Sequence, residues 1–404
     1  MLRLSHYLHT LLHPAPLPPA RRPAGPVVIW NLLRRCNLTC QHCYATSADR
    51  DFAGELSLDE LYAVMEDLKA CGVSVLILSG GEPLLHPAIH QLGQRAKAMG
   101  FYVGLSSNGT LVDAANVGRI AETGYDYVGV SLDGIGTTHD RFRRLAGAYD
   151  RSLAAIRLLR DAGMKVGVRY TMTEGNAHDL PALLQLVADE GIDKFYFSHL
   201  NYAGRGNKHR DGDARHQRTR WALDLLIDAA LGHVRAGRQK DFVTGNNDAD
   251  AVYLLQWARR RYPLQADALA SRLQQWGGNA SGVGVANIDN LGNVHPDTMW
   301  WKVSLGNVRQ RPFSAIWADA ANPLLAGLRQ RPRPVAGRCG ACRHLAICNG
   351  NTRIRAWELS GDFWQADPGC YLHDAEIGVP DGAYPLPALS PWQRPQALLS
   401  EVQS

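Results

Sequence analysis

No run of this chain comes near the roughly 18 consecutive apolar residues that a membrane-spanning helix needs, although 46% of its 404 residues are hydrophobic. The opening MLRLSHYLHTLLHPAP lacks the marks of a secretory signal. His6, His9 and His13 interrupt its apolar run, and no small-residue cleavage site follows. No membrane association and a cytoplasmic location are therefore expected. Charge of one sign is not in large excess either. Lys and Arg number 43 against 38 Asp and Glu, a net +5. That is too weak to argue for a nucleic-acid partner, though it suits an anionic substrate or an acidic redox partner. No short repeat is visible. Cysteine is scarce, eight in all, and its placement speaks against disulfides. Seven of the eight fall in two tight groups, Cys36, Cys40 and Cys43 near one end and Cys339, Cys342, Cys348 and Cys370 near the other. Without an export signal, such clustering favours metal over bridges. The eighth, Cys71 in LKACGV, reads as a buried structural thiol.

What is present is an alternation of strand and helix patterns. Residues 1–26 hold six prolines and read as an extended, Pro-rich arm. Strand-like runs at 27–33, 73–79, 101–106, 125–132, 165–172 and 194–200 then alternate with helical patterns near 58–70, 88–99, 112–123, 149–162 and 179–190. Leu58, Leu61, Val64, Met65 and Leu68 share one face of the first helix. Six strands joined by crossover helices imply a parallel sheet with right-handed connections, an α/β fold curled into a partial barrel. Residues 206–278 hold a charged loop and about three helices, with Trp221, Leu225, Ala229 and Val234 as a packing face. Residues 377–404 read as a Pro-rich tail.

Ligands of such folds bind at the carboxyl ends of the strands. Here the first strand ends in the cysteines, the second in Ser79-Gly80-Gly81-Glu82-Pro83 and the third in Ser106-Ser107-Asn108-Gly109. The fourth ends in Ser131-Leu132-Asp133-Gly134 and the sixth in His199-Leu200-Asn201. Each phrase alone is ordinary turn chemistry; their convergence on one rim makes a site the better reading. Cys36, Cys40 and Cys43 with His42 would complete a zinc set, at the cost of leaving the glycine-rich rim unexplained. The series Cys339-x2-Cys342-x5-Cys348-x21-Cys370 suits either zinc or a [4Fe-4S] cube. TGNNDADA at 244–251 and GGNASGVGVAN at 277–287 concentrate Asn, Asp and Gly. Capping and turns explain them as well as the lining of a polar cavity does.

Cys36-x3-Cys40-x2-Cys43, with His42 before the third cysteine and Tyr44 after it, resembles the radical S-adenosylmethionine (SAM) signature. Gly80-Gly81-Glu82-Pro83 resembles the motif whose backbone and carboxylate hold the methionine amino group. Ser131 resembles the ribose-contacting position, and Ser107 falls in the same cofactor shell. The resemblance implies a partial (β/α)6 radical SAM barrel over 27–205, with S-adenosyl-L-methionine held by His42, Tyr44, Gly80, Gly81, Glu82, Ser107 and Ser131. It also implies a [4Fe-4S] cluster on Cys36, Cys40 and Cys43. Three thiolates leave the fourth iron open to the methionine amino and carboxylate groups. One electron then releases a 5′-deoxyadenosyl radical, which takes hydrogen from a substrate.

CGACRHLAICNGNTRIRAW, followed by DPGCY and preceded by ANIDNLGNVHPD, resembles the SPASM domain that carries auxiliary clusters. This implies a SPASM-like domain over 279–376, joined to the barrel by bridging helices at 206–278. Two positions depart from that pattern. Asp297 follows Pro296 where a cysteine is common, and Thr352 replaces another. Both absent cysteines serve the same first auxiliary cluster. The resemblance therefore leaves one, on Cys339, Cys342, Cys348 and Cys370, and two [4Fe-4S] clusters in all. Complete cysteine ligation suits electron relay.

The longer phrases VVIWNLLRRCNLTCQHCY, FYFSHLNYAGRG, TGNNDADA, WGGNASGVGVANIDNLGNVHPDT and CNGNTRIRAW resemble the radical SAM family of heme d1 biosynthesis, from about residue 26 to residue 376. That family removes two propionate chains from 12,18-didecarboxysiroheme. The implied partners are a tetrapyrrole substrate and a flavodoxin- or ferredoxin-like electron donor. A flat anionic ring needs a wide apolar slot with a basic rim. Trp276, Trp300 and Trp301 are stacking candidates, and Arg169, Arg205, Arg353 and Arg355 are carboxylate partners. His199 and His295 are candidates to meet the substrate iron or to move protons. No general acid or base is assigned. The alternatives are a related tetrapyrrole enzyme of the alternative heme pathway, a peptide-modifying SPASM maturase and an iron–sulfur electron carrier.

Overall fold

The structure, a computed structural model, describes residues 1–14, 16 and 25–385. Among these residues eleven strands form one sheet. In chain order they are β1 (Leu2–Arg3), β2 (Val27–Asn31), β3 (Val75–Ser79), β4 (Tyr102–Ser107), β5 (Tyr127–Ser131), β6 (Val166–Met172), β7 (Lys194–His199), β8 (Asp241–Gly245), β9 (Val285–Ile288), β10 (Asn293–His295) and β11 (Gly306–Asn307). Strands β2 to β7 are the six expected, all parallel and in sequence order. Helices Leu58–Ala70, Ile89–Ala98, Val117–Glu122, Ala148–Asp161 and Leu180–Asp189 connect them. On the first helix Leu61, Val64, Met65 and Leu68 are buried, with Leu58 at the edge of the face. A capping box between Ser57 and Glu60 starts that helix.

Alternation along the strands separates the two faces of the sheet. Val28, Trp30, Leu76 and Leu78 are buried in the hydrophobic core. Val27, Ile29, Val75 and Ile77 instead line an internal cavity. The strands thus read as continuous apolar runs because both faces are covered.

The sheet extends beyond the six expected strands at both edges. β8 adds parallel to β7, and β1 pairs antiparallel with β8. At the other edge β9 adds parallel to β2, and β10 and β11 follow antiparallel. β8 reads DFVTG, with only Phe242 and Val243 apolar, so it lacks the continuous apolar run of the others; pairing with β7 makes it a strand.

The expected extended arm is corrected at its start. Leu2–Arg3 pairs with β8, and Leu4–Leu12 is a helix that buries Leu4, Tyr7, Leu8 and Leu11. The helical spacing was present, and the prolines begin only at Pro14, after the helix ends. Residues 15 and 17–24 of that arm, and 386–404 of the Pro-rich tail, lie outside the described residues. The fold also runs past 376, because Ile377 and Val379 are buried in the core. The bridging region holds helices His216–Arg235, Ala249–Arg261 and Ala266–Trp276. On the first, Ala222, Leu223, Leu226, Ile227 and Ala230 face the core. The expected Trp221, Leu225, Ala229 and Val234 flank that face, half-buried, an offset of one helical position or about 100°. Among the described residues no helix is long and apolar enough to cross a membrane.

Candidate active site

A cavity of about 1180 Å³ runs inside the curled sheet, above the ~300–1,000 Å³ usual for small-molecule sites. Cys36, Cys40, His42, Cys43, Tyr44, Gly80, Gly81, Ser107 and Ser131 all line it. So the structure gathers on one wall every expected SAM-contact residue except Glu82. Asn246, Asp248, Asn279, Ser281 and Asp297 close it from the later part of the chain, and Arg3, His6, Lys165, Lys194 and Asp241 line it toward the amino ends of the strands.

The cysteine loop is held by hydrogen bonds to its sulfurs and to its carbonyls. Leu38 N–H donates to Cys36 Sγ at 3.4 Å, Ser47 N–H to Cys43 Sγ at 3.4 Å and Arg143 Nη1 to Cys40 Sγ at 3.6 Å. Three sulfurs that each accept an N–H are suited to thiolate ligation. Burial pushes the Cys36 and Cys40 thiols up, so they ionise only against the charge of a bound metal. This donor set fits the cluster that the radical SAM resemblance implies. His42 is kept neutral, its value pushed well down by burial and by Arg143, Arg169 and Arg205. Its ring packs on Phe142 at 4.7 Å, and its Nδ1 is buried without a partner.

Gly80 and Gly81 lie directly on the backbone of this loop. Gly81 N–H donates to Leu33 O at 2.8 Å and Glu82 N–H to Arg35 O at 2.9 Å. A Cβ on Gly81 would stand 2.0 Å from Arg35 O, which excludes any side chain there.

Glu82 departs from expectation. Its side chain is fully buried and does not reach the cavity wall. Oε1 accepts from Ser107 Oγ at 2.9 Å and Leu84 N at 3.1 Å, and Oε2 accepts from Asn108 N at 2.8 Å. Burial pushes its carboxyl up to about 7 despite these bonds. The carboxylate therefore ties the β3 loop to the β4 loop, and only the glycine backbone before it faces the cavity.

The expected tetrapyrrole contacts are largely redistributed. Trp300 is fully buried against Leu328 and Ile354. Trp276 packs half-buried on the main core, and Trp301 stacks on His295 behind Tyr44. None of the three lines the cavity. Its aromatic lining is instead Tyr44, Tyr102, Tyr127, Tyr170 and Tyr196. Glycines make room for two of these rings: a Cβ on Gly167 or Gly245 would come within 2.2 Å of the Tyr127 or Tyr196 hydroxyl.

Of the four arginines, only Arg169 faces the cavity, where it donates to Ser106 Oγ and lies over the Tyr196 ring. Arg205 instead clamps the cysteine loop, donating to Cys40 O at 2.7 Å and Ser47 O at 2.9 Å while its own N–H binds Cys43 O. Arg353 is buried on the carbonyls of Asn351, Phe363 and Gln365. Arg355 makes a bidentate pair with Asp367 and donates to Leu200 O and Asn246 O. His295 donates from Nδ1 to Val303 O and lies off the cavity. His199 lines it.

The Asn-rich phrases serve both purposes left open from the sequence. Asn247 Nδ2 donates to Gly369 O, Asn351 Nδ2 to Asn247 Oδ1 and Asn279 Nδ2 to Asp248 Oδ2. Together they stitch the end of β8 to the C-terminal region while Asn246 and Asp248 line the cavity. Asp297 accepts from Ser281 Oγ and from Met299 N at 2.7 Å, so both its oxygens are used within its own surroundings.

The four C-terminal cysteines stand near enough to act on one another's charge, although among the described residues no three ligating side chains are drawn tightly enough together to hold a metal ion as they stand. Burial pushes the Cys348 thiol well up, and Cys339, Cys342 and Cys370 beside it add to the effect. Cys370 is pushed up to about 12. Asp367 N–H donates to Cys339 Sγ at 3.4 Å, His344 N–H to Cys342 Sγ at 3.3 Å and Arg338 Nη1 to Cys370 Sγ at 3.2 Å. The set has the chemistry of a thiolate-bound cluster as well.

Arg143 and Asp133 escaped sequence reasoning. They form a buried ion pair beside Cys40, and Asp133 Oδ1 also accepts from Thr171 N at 2.6 Å. The signal for Asp133 was its place two residues past the end of a strand; Arg143 had none. Reading the inward positions of β6 and β7 as one set would have added Lys194 and Tyr196 to the expected Arg169, since Arg169 stands opposite Tyr196 in register.

Residues 30–187 match the family model of the radical SAM superfamily. The chain is 56% identical to Pre-heme d1 synthase of Dinoroseobacter shibae, covering 94% of each chain. It is 40% identical to Fe-coproporphyrin III synthase of Methanosarcina barkeri, covering 87% of this chain and 89% of that one. Among solved structures, SuiB of Streptococcus suis bound to S-adenosylmethionine matches with a TM-score of 0.67 at 16% identity, covering 86% of this chain and 78% of that one, a likeness of fold. The chain belongs to the radical SAM superfamily, in the branch that holds the pre-heme d1 synthase of D. shibae.

Proposed function

We propose that this radical SAM enzyme acts in heme d1 biosynthesis, removing two propionate side chains from 12,18-didecarboxysiroheme. The carrying observation is the near-full-length likeness to Pre-heme d1 synthase; the wide cavity with its cationic and tyrosine lining is what such a ring requires. As a radical SAM protein the chain uses SAM and a [4Fe-4S] cluster. When bound, these supply the 5′-deoxyadenosyl radical that starts the chemistry.

The residues divide the work as follows. Cys36, Cys40 and Cys43 hold the cluster, and Arg143 and Arg205 fix their loop. The backbone of Gly80 and Gly81 receives the methionine end of SAM, with Ser107, Ser131, His42 and Tyr44 around the rest. Glu82 keeps those glycines in place through the β4 loop. Arg169 and Lys194 meet substrate carboxylates inside the cavity, and the tyrosines cover the ring faces. Cys339, Cys342, Cys348 and Cys370 hold a second [4Fe-4S] cluster within a SPASM-like domain at 279–376. A flavodoxin- or ferredoxin-like protein in the cytoplasm supplies electrons.

The likeness to Fe-coproporphyrin III synthase favours a second reading, with a tetrapyrrole in the same cavity. Mass spectrometry after anaerobic turnover of didecarboxysiroheme separates the two. Loss of propionates with the acetates intact supports the proposal. Acetates trimmed to methyls, with the propionates kept, supports the second reading instead.

A further inference from the structure

Among the histidines that line the cavity, His199 alone has a carboxylate fixed behind it by a further buried group. It stands at the end of β7, 5% exposed, and lines the cavity. Its Nε2 lies 3.0 Å from Asp250 Oδ2. Asp250 is fully buried in the first turn of helix Ala249–Arg261, and its other oxygen accepts from Tyr371 Oη at 2.8 Å. In the neutral ring the carboxylate places the hydrogen on Nε2 and the lone pair on Nδ1. Nδ1 has no hydrogen-bond partner among the described residues, yet it is not sealed off as a buried orphan. The ring cannot readily turn to find one. Phe197 meets it edge-on at 5.0 Å, and Tyr371 stacks on it at 6.2 Å.

An imidazole that lines a cavity, gives its N–H to a buried carboxylate and leaves its other nitrogen unpartnered has the arrangement of a metal-ligating histidine with its supporting partner. The carboxylate fixes the tautomer and makes the free nitrogen a better donor. The other cavity histidines lack this. His42 has its free nitrogen buried within the cysteine loop, and His6, His9 and His13 are exposed at the far end. We propose that His199 Nδ1 is the axial ligand to the iron of the tetrapyrrole substrate, positioned by Asp250 and Tyr371. This rests on the tetrapyrrole reading of the cavity. It adds that the ring binds with its iron in place and with one face toward β7. Tyr371 follows Cys370 directly, so the same hydrogen-bonded chain joins the substrate ligand to the C-terminal cysteine site.

The test is spectroscopic and uses the full-length protein with its clusters reconstituted and iron-bearing didecarboxysiroheme as probe. Resonance Raman and electron paramagnetic resonance spectra of the bound ring should show an iron–imidazole ligand in the wild type. His199→Gly should lose that signature, and added imidazole should restore it. Asp250→Asn should keep the ligand while lowering the iron–nitrogen stretching frequency and raising the midpoint potential of the bound iron. Retained cluster iron and substrate-free SAM cleavage show that each variant is folded; if His199→Gly fails this, Asp250→Asn decides. A bound ring with no imidazole ligand in the wild type, an unchanged spectrum in His199→Gly, or an Asp250→Asn variant that shifts neither quantity overturns the proposal and leaves the tetrapyrrole reading standing. No binding of the ring to the wild type overturns both.

Discussion

Replacing Arg205 distinguishes a clamp on the cysteine loop from a contact to the substrate. Its guanidinium donates to Cys40 O at 2.7 Å and to Ser47 O at 2.9 Å. Hydrogen bonds from a charged donor contribute about 1.5–3 kcal/mol each, so Arg205→Ala removes about 3–6 kcal/mol from the closed loop. That corresponds to an open loop more populated by about two to four powers of ten. Arg205→Lys keeps the charge but reaches one carbonyl at a time, and should lose about half. The neighbouring Gly204 stays as it is, with the backbone of Cys43 and Tyr44 packed where a Cβ would stand. The assay is iron and sulfide content after anaerobic reconstitution, followed by timed loss to a chelator. In Arg205→Ala the irons of the N-terminal cluster should leave first and SAM cleavage should fall, while the irons of the C-terminal site stay. Arg205→Lys should fall between. Full iron retention and normal SAM cleavage, with only a raised KM for the tetrapyrrole, would refute the clamp and return Arg205 to the substrate.

Other consequences can be checked in the same way. Glu82 is pushed up to about 7 from a usual value near 4.5, so its contribution to stability is full below about 4.5 and lost as pH rises through about 7. The melting temperature of the wild type relative to Glu82→Gln should therefore fall between about pH 5 and pH 8; parallel curves would contradict the burial argument. Gly81→Ala would press a Cβ to 2.0 Å from an immobile carbonyl, an overpacking cost at or above the usual ~1–3 kcal/mol, and SAM affinity by equilibrium binding should drop at least about tenfold. Normal affinity would show that the loops need not touch. Replacing Cys36, Cys40 and Cys43 together by Ala should leave about four irons per chain and no SAM cleavage; one zinc and no remaining iron would contradict the C-terminal assignment.

The strand ends were legible because continuous apolar runs with polar endings are local features, and each of the six expected strands formed where its run lay. The cysteine loop, Gly80, Gly81, Ser107 and Ser131 followed, since the topology carries all of these ends to one wall. What escaped depends on contacts distant in sequence. Arg353 and Arg355 carry charges that composition assigns to the surface, and only Asp367 and a ring of carbonyls, brought in by the C-terminal fold, make their burial possible. Trp300 looked like a stacking platform but was claimed by Leu328 and Ile354. Glu82 sits in a ligand motif, yet its oxygens are taken by the next loop. The N-terminal helix was hidden by the prolines that follow it, although its buried leucines had the right spacing.

The central claim is that a radical formed at the cysteine wall takes hydrogen from a propionate of a tetrapyrrole held in the cavity. The direct measurement is anaerobic turnover of didecarboxysiroheme deuterated on its propionate chains, with SAM and reductant, followed by mass spectrometry of both products. Deuterium should appear in 5′-deoxyadenosine, and the ring should lose propionate mass in proportion. Cleavage of SAM with no deuterium transferred and no mass lost from the ring, or transfer only from an added peptide, would contradict it.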